Sequence, residues 1–195
     1  MNTELVEKFE ALLQSTGREG IDKLIKYIRT TDFYTAPAST RFHSSYEGGL
    51  LQHSINVYEM LEAKSKTDTW KDIVKDKSTI IIVSLLHDLC KANYYAIEMR
   101  NKKNEQGKWE QVPFYTVDDQ SPYGHGEKSV MILMEFIKLT AEEKYAIRWH
   151  MGFSEPKENY QYLGKAMDKY PLICALHEAD LEATHLLEVD KGDED

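Results

Sequence analysis

Ser84-Leu85-Leu86-His87-Asp88-Leu89-Cys90-Lys91 is the stretch on which the reading of this chain turns. It follows Ile80-Ile81-Ile82-Val83, an unbroken apolar run that belongs in the interior whatever its secondary structure. A carboxylate and an imidazole at the end of a buried segment cost several kcal/mol, roughly, unless something compensates them. A divalent cation would compensate them, and the chain offers further ligand-type side chains on both sides: His53, His125, His150 and Asp180. Neighbouring positions of a helix point about 100° apart, so His87 and Asp88 can meet one ion only from its flanks, which leaves room for ligands from other helices. Lys91 stands one turn from both and reaches towards the same place.

Outward from this segment the apolar residues keep a helical period. Leu5, Phe9, Leu12 and Leu13 open the chain, residues 17–20 interrupt them, and Ile21, Leu24, Ile25 and Ile28 resume the period. Residues 30–48 read as irregular. Residues 49–63 predict an amphipathic helix with Leu50, Leu51, Ser54, Val57, Tyr58 and Leu61 inward and His53 beside them, and residues 77–92 predict the helix carrying His87. Residues 98–117 lose the period and read as a small β-hairpin with a glycine-containing turn near Gly107. The helical period returns with Val130, Leu133, Met134 and Ile137. Thr140-Ala141-Glu142-Glu143 resembles a capping box, opening a helix that carries Trp149 and His150 and ends near Gly152. A last helix over 171–187 carries Asp180, and the acidic tail 190–195 is expected to fray. The fold class expected is all-α, a helical bundle with one hairpin insertion.

Size and composition narrow the options. At 195 residues with 42% apolar side chains and no repeat, the chain is expected to form one domain with a proper core. A net charge of −9 argues against a protein that holds long nucleic acid through a basic surface. It leaves small anionic substrates open, because a bound cation inverts the local field. Cys90 and Cys174 form neither a disulfide framework nor a zinc-thiolate spacing, and Cys90 reads as a small buried hydrophobe. No basic segment leading into an apolar core opens the chain, and no apolar run is long enough for a bilayer. A soluble, reducing, cytoplasmic setting is the expectation, with no membrane partner.

Taken singly, a helical histidine such as His53 is more often a satisfied core or rim residue than a ligand, and a His-Asp dipeptide is common by chance. Read together, His53, then His87-Asp88, then Asp180 resembles, in order and helical context, the HD-domain metal-dependent phosphohydrolases. Gly48-Gly49-Leu50-Leu51-Gln52-His53 looks like the "GGLLEH" stretch of several members, and His87-Asp88-Leu89-Cys90-Lys91 is similar to their "HDIGK". The resemblance covers roughly residues 43–187. It implies one metal held by the four residues just named. In some members two further histidines hold a second ion, and His125 and His150 stand in the matching places. Asp88 would then bridge ions that typically lie about 3.5–4 Å apart. A donor set of imidazole and carboxylate suits Fe, Mn, Zn, Co or Ni.

The activity this implies is hydrolysis of a phosphate ester of a nucleotide or small oligonucleotide by metal-activated water. Asp88 and Lys91 are the catalytic candidates, Asp88 for the nucleophile and Lys91 for phosphate charge. His43, in the loop before the first ligand helix, Lys91 and Tyr115 are the substrate-binding candidates, and Lys102, Lys103, Lys108 and Trp109 make the hairpin a candidate specificity element. His177, one turn from Asp180, is a candidate outer partner of the metal ligands, and His185 reads as surface. The alternatives are a 3′-end exonuclease on single-stranded nucleic acid, a di-iron oxygenase of HD type, and a nucleotide-binding module without turnover. All six ligand positions are present, which weighs against the last.

Overall fold

A computed structural model describes residues 2–41 and 44–189 of the chain, so His43 and the acidic tail lie outside the described residues. The protein is mainly helical, as the apolar period predicts. In chain order it runs α1 (Thr3–Ser15), α2 (Ile21–Ile28), α3 (Gly49–Lys64), α4 (Lys77–Leu86), β1 (Tyr95–Lys103), β2 (Trp109–Val117), α5 (His125–Met134), α6 (Ala141–Trp149), α7 (Tyr160–Lys169) and α8 (Leu172–Glu182).

The centre of the bundle is the pair α3 and α4. In α4 every residue from Thr79 to Leu86 is buried, the pattern of a helix enclosed on all sides. α3 packs on α1, α4 and α8, while α4 also meets α1 and α6, and α5 lies along α6. One apolar cluster runs through the bundle from Phe9 to Ala183, and a smaller one joins Trp149, Leu163, Ala166 and Ile173.

The N-terminal helices are tied to this bundle by charge as well as by apolar burial. The Glu143 carboxylate, fully buried at the start of α6, accepts from Arg18 Nη1 at 2.8 Å and from Thr79 Oγ1 at 2.7 Å. It also closes the capping box on the Thr140 amide at 2.8 Å, as the sequence predicts. A buried carboxylate stabilises only when its oxygens are filled in this way.

Three local features differ from the sequence expectation. The helix expected over 77–92 stops at Leu86. His87 is its cap, Asp88 leaves helical conformation at φ −100° and ψ 18°, and Leu89–Lys91 form a 3₁₀ turn. The hairpin begins at Tyr95 rather than at residue 98, with β1 and β2 antiparallel from Tyr95↔Val117 to Lys103↔Trp109. Tyr95 is held there because its hydroxyl donates to Ala38 O at 3.0 Å and its ring meets Tyr115. α7 was not expected from the sequence. Only Leu163 and Ala166 of it are buried, too few positions to make the period visible. Among the described residues no helix is long and apolar enough to cross a membrane.

Candidate metal centre

Two helices end in the same way on either side of one carboxylate. His87 caps α4 and His150 caps α6, and each turns its Nδ1 back to donate to the carbonyl three residues earlier: Ser84 O at 2.8 Å and Ile147 O at 2.6 Å. Those carbonyls belong to the last turn, where helices leave acceptors unfilled. The bond places the proton on Nδ1 and presents Nε2 as the free face of the ring. Both Nε2 atoms come to Asp88, His87 at 3.6 Å from Oδ2 and His150 at 3.5 Å from Oδ1. The break in the helix after Leu86 is what lets adjacent residues meet: a continued α-helix would turn Asp88 about 100° away from His87.

The remaining candidates arrive from three other helices. α3 brings His53, whose Nε2 lies 3.2 Å from Asp180 Oδ1 on α8 and 3.7 Å from Asp88 Oδ2. A Cβ on Gly49 would sit 1.9 Å from Ser44 O, so only glycine lets the preceding loop close on the first turn of α3. α5 brings His125, whose Nε2 lies 2.8 Å from Asp88 Oδ1. Gly126 makes this possible, since a Cβ there would meet Arg148 O of α6 at 2.4 Å. Thus the six ligand candidates converge, and the Asp88 carboxylate divides them: Oδ2 faces His53 and His87, Oδ1 faces His125 and His150. Lys91 Nζ contacts Oδ2 at 2.7 Å.

The centre is buried and electrostatically unbalanced. His53, His87, Asp88 and His150 are all at most 2% exposed. His87 Nε2 and Asp88 Oδ1 have no hydrogen-bond partner among the described residues, although His125 Nε2 lies 2.8 Å from that oxygen. Each unfilled buried polar atom costs about 1–3 kcal/mol. A neutral imidazole nitrogen and a carboxylate oxygen left bare side by side are what a divalent cation fills, so the residues present fit a metal ion. His53, His87 and Asp180 offer ligand atoms mutually within 4.8 Å, as do His87, Asp88 and His150, and Asp88, Cys90 and His125.

The proton affinities follow the same division. Burial drives the His87 ring down to about 4. Burial also opposes charge on His53, but Asp180 and Glu188 outweigh it and lift the ring to about 10. The Asp88 carboxyl, raised by burial, is held well below the usual carboxylate range by Lys91, His87 and His125. Without metal, His53 therefore carries a proton that metal binding must displace.

Several partners around the centre were not legible in the sequence. Glu188, just past the π-helical turn Ala183–Leu187, accepts from His53 Nδ1 at 3.0 Å, Asn56 Nδ2 at 2.9 Å and Ser44 Oγ at 2.9 Å. Cys90 is buried as expected, and its Sγ also lies 3.2 Å from His125 Nδ1, with burial pushing the thiol up to about 12. His177, the candidate outer partner, donates from Nδ1 to the backbone oxygen of the ligand candidate His150 at 2.7 Å, and His185 is exposed. Tyr115 meets the Tyr95 ring, with centroids 6.5 Å apart, and does not line the cavity that holds Lys91 and His125. Tyr95 is the hairpin side chain that feels the charges of Lys91 and Asp88.

No family model matches the chain, and neither a curated protein nor a solved structure does. The site therefore rests on its own geometry. A cavity of about 880 Å³ between Arg18, Lys23 and Phe136 is lined by none of the ligand candidates. A smaller one of about 330 Å³ is lined by Lys91 and His125 and opens directly on them.

Proposed function

We propose that this chain is an HD-type metal-dependent phosphohydrolase acting on a phosphate ester of a nucleotide or another small molecule. The observation that carries the reading is Asp88: a buried carboxylate with one bare oxygen, four histidine Nε2 atoms within 3.7 Å and a lysine on its other oxygen. The order of His53, His87-Asp88, His125, His150 and Asp180 supports it as a resemblance to that superfamily.

His53, His87, Asp88 and Asp180 would hold one divalent ion, and Asp88, His125 and His150 a second. Ions so bound supply an acidified water and neutralise phosphoryl charge. The chain's own residues do the rest. The Nδ1 bonds of His87 and His150 hold both rings with Nε2 inward. Glu188 does the same for His53 by accepting from its Nδ1. Lys91 stays protonated beside Asp88, so its ammonium can bind a non-bridging phosphate oxygen and offset charge that grows during displacement. His125, whose side chain is 32% exposed, is the ligand candidate that faces the cavity.

The test is a panel of phosphomonoesters and phosphodiesters with protein reconstituted in Mn or Fe under anaerobic conditions, beside an Asp88→Ala variant. Turnover by the wild type that Asp88→Ala abolishes is expected. Absence of turnover across the panel by fully metal-loaded protein, or turnover that needs dioxygen, overturns the reading.

A further inference from the structure

Beside the centre, one ion pair stands apart from the metal-ligand set. Lys128, on the first turn of α5, is only 8% exposed, and its Nζ contacts Asp119 Oδ1 at 2.7 Å while lying 5.5 Å from the centroid of the Tyr94 ring. All three side chains line the 330 Å³ cavity together with Lys91 and His125. With its lysine buried and its aspartate partly exposed, this pair gains little stability over apolar packing. What it does offer is a hydrogen-bond donor and an acceptor side by side, in the wall of a cavity whose other wall carries the phosphate-binding lysine.

Resting on the phosphohydrolase reading, we propose that this cavity is the subsite for the alcohol part of the substrate, and that it takes a polyhydroxylated one: a sugar phosphate, or the ribose of a mononucleotide. A hydroxyl is both donor and acceptor, so it satisfies Asp119 and Lys128 at once. A vicinal diol does so with each oxygen in turn, beside the Tyr94 ring that also lines the cavity. The cavity volume lies at the lower end of the range for small-molecule sites, about 300–1,000 Å³, which favours one sugar over an oligonucleotide. Lys128 is then a specificity-determining residue, distinct from Lys91, which acts on the phosphate.

The experiment compares ribose 5-phosphate, adenosine 5′-monophosphate and phenyl phosphate on metal-loaded wild type, Lys128→Met and Asp119→Asn. For the two sugar substrates each variant should raise KM about tenfold with kcat nearly unchanged, the loss of one hydrogen bond. Phenyl phosphate, which has no hydroxyl to offer, should be indifferent. A larger effect on adenosine 5′-monophosphate would assign the site to nucleotides, and a larger effect on ribose 5-phosphate to free sugar phosphates. Equal effects on phenyl phosphate, or no effect on the sugars, would overturn the subsite. Calorimetric titration of ribose 5-phosphate into the same proteins separates the two readings: Lys128-dependent binding without turnover sinks the hydrolase and keeps the subsite.

Discussion

Replacing Glu188 by alanine should cost the protein both stability and metal affinity, by amounts the structure lets one work out separately. The carboxylate fills three buried donors: His53 at 1% exposure, Asn56 at 8% and Ser44 at 4%. Leaving a buried donor bare costs about 1–3 kcal/mol, and water entering the vacated space recovers part of it. A net loss of about 2–4 kcal/mol is therefore expected, within the roughly 5–15 kcal/mol of a typical domain, so the variant should fold. The metal effect has a different origin. With Glu188 accepting at Nδ1, the His53 ring is fixed in the tautomer and orientation that present Nε2 to Asp180 and Asp88. Losing such an outer partner typically weakens metal binding about 10–100-fold. Glu188→Gln keeps the volume and Nδ1 acceptor but not the charge, so it should fall between wild type and Glu188→Ala. Urea denaturation of metal-free protein reads the first quantity, and calorimetric titration with Mn or Zn the second. Unchanged affinity in Glu188→Ala, with the expected stability loss present, would refute the orienting role and leave Glu188 a purely structural contact.

Metal content should separate along the two faces of Asp88: about two ions in fully loaded wild type, one ion retained in His125→Ala and in His150→Ala, and total loss in those variants counting against a second site. Lys91→Ala should keep its metal and slow turnover about a hundredfold or more, the cost of one charge-stabilising contact; wild-type rates would remove Lys91 from the mechanism. Without metal, thermal stability should peak near pH 6.5. His53, raised to about 10, contributes stability that is complete below its ordinary 6.5 and lost as pH rises through 10. His87, lowered to about 4, contributes stability that is present above 6.5 and lost as pH falls through 4, and Asp88 and Asp180, both held low, add to the acid-side loss. Saturating metal should flatten the alkaline side, because the bound rings are unprotonated. Melting curves across pH 4–10 with chelator and with Mn check both, and a metal-free profile that is flat would contradict the buried charge arrangement.

The sequence by itself determined the mainly helical class and supplied the imidazoles and carboxylates that the fold brings together. Both are local: the imidazoles and carboxylates are visible as residues, and the 3.6-residue apolar period of α3 shows in Leu50, Leu51, Ser54, Val57, Tyr58 and Leu61, all of them buried. The capping box at Thr140 is legible for the same reason, since its partners lie three residues apart. Tertiary structure alone decided what those residues meet. Glu188 lies 135 positions from His53, and nothing local sets it apart from the other acids of the C-terminal segment. Arg18 finds Glu143 across 125 positions. The stop at Leu86 had no breaker residue to announce it, because the run through Ala92 contains neither Gly nor Pro. At that stop Asp88 leaves the helix to face four histidines and Lys91, and those histidines, carried by α3, α4, α5 and α6, meet it only once the four helices have packed together.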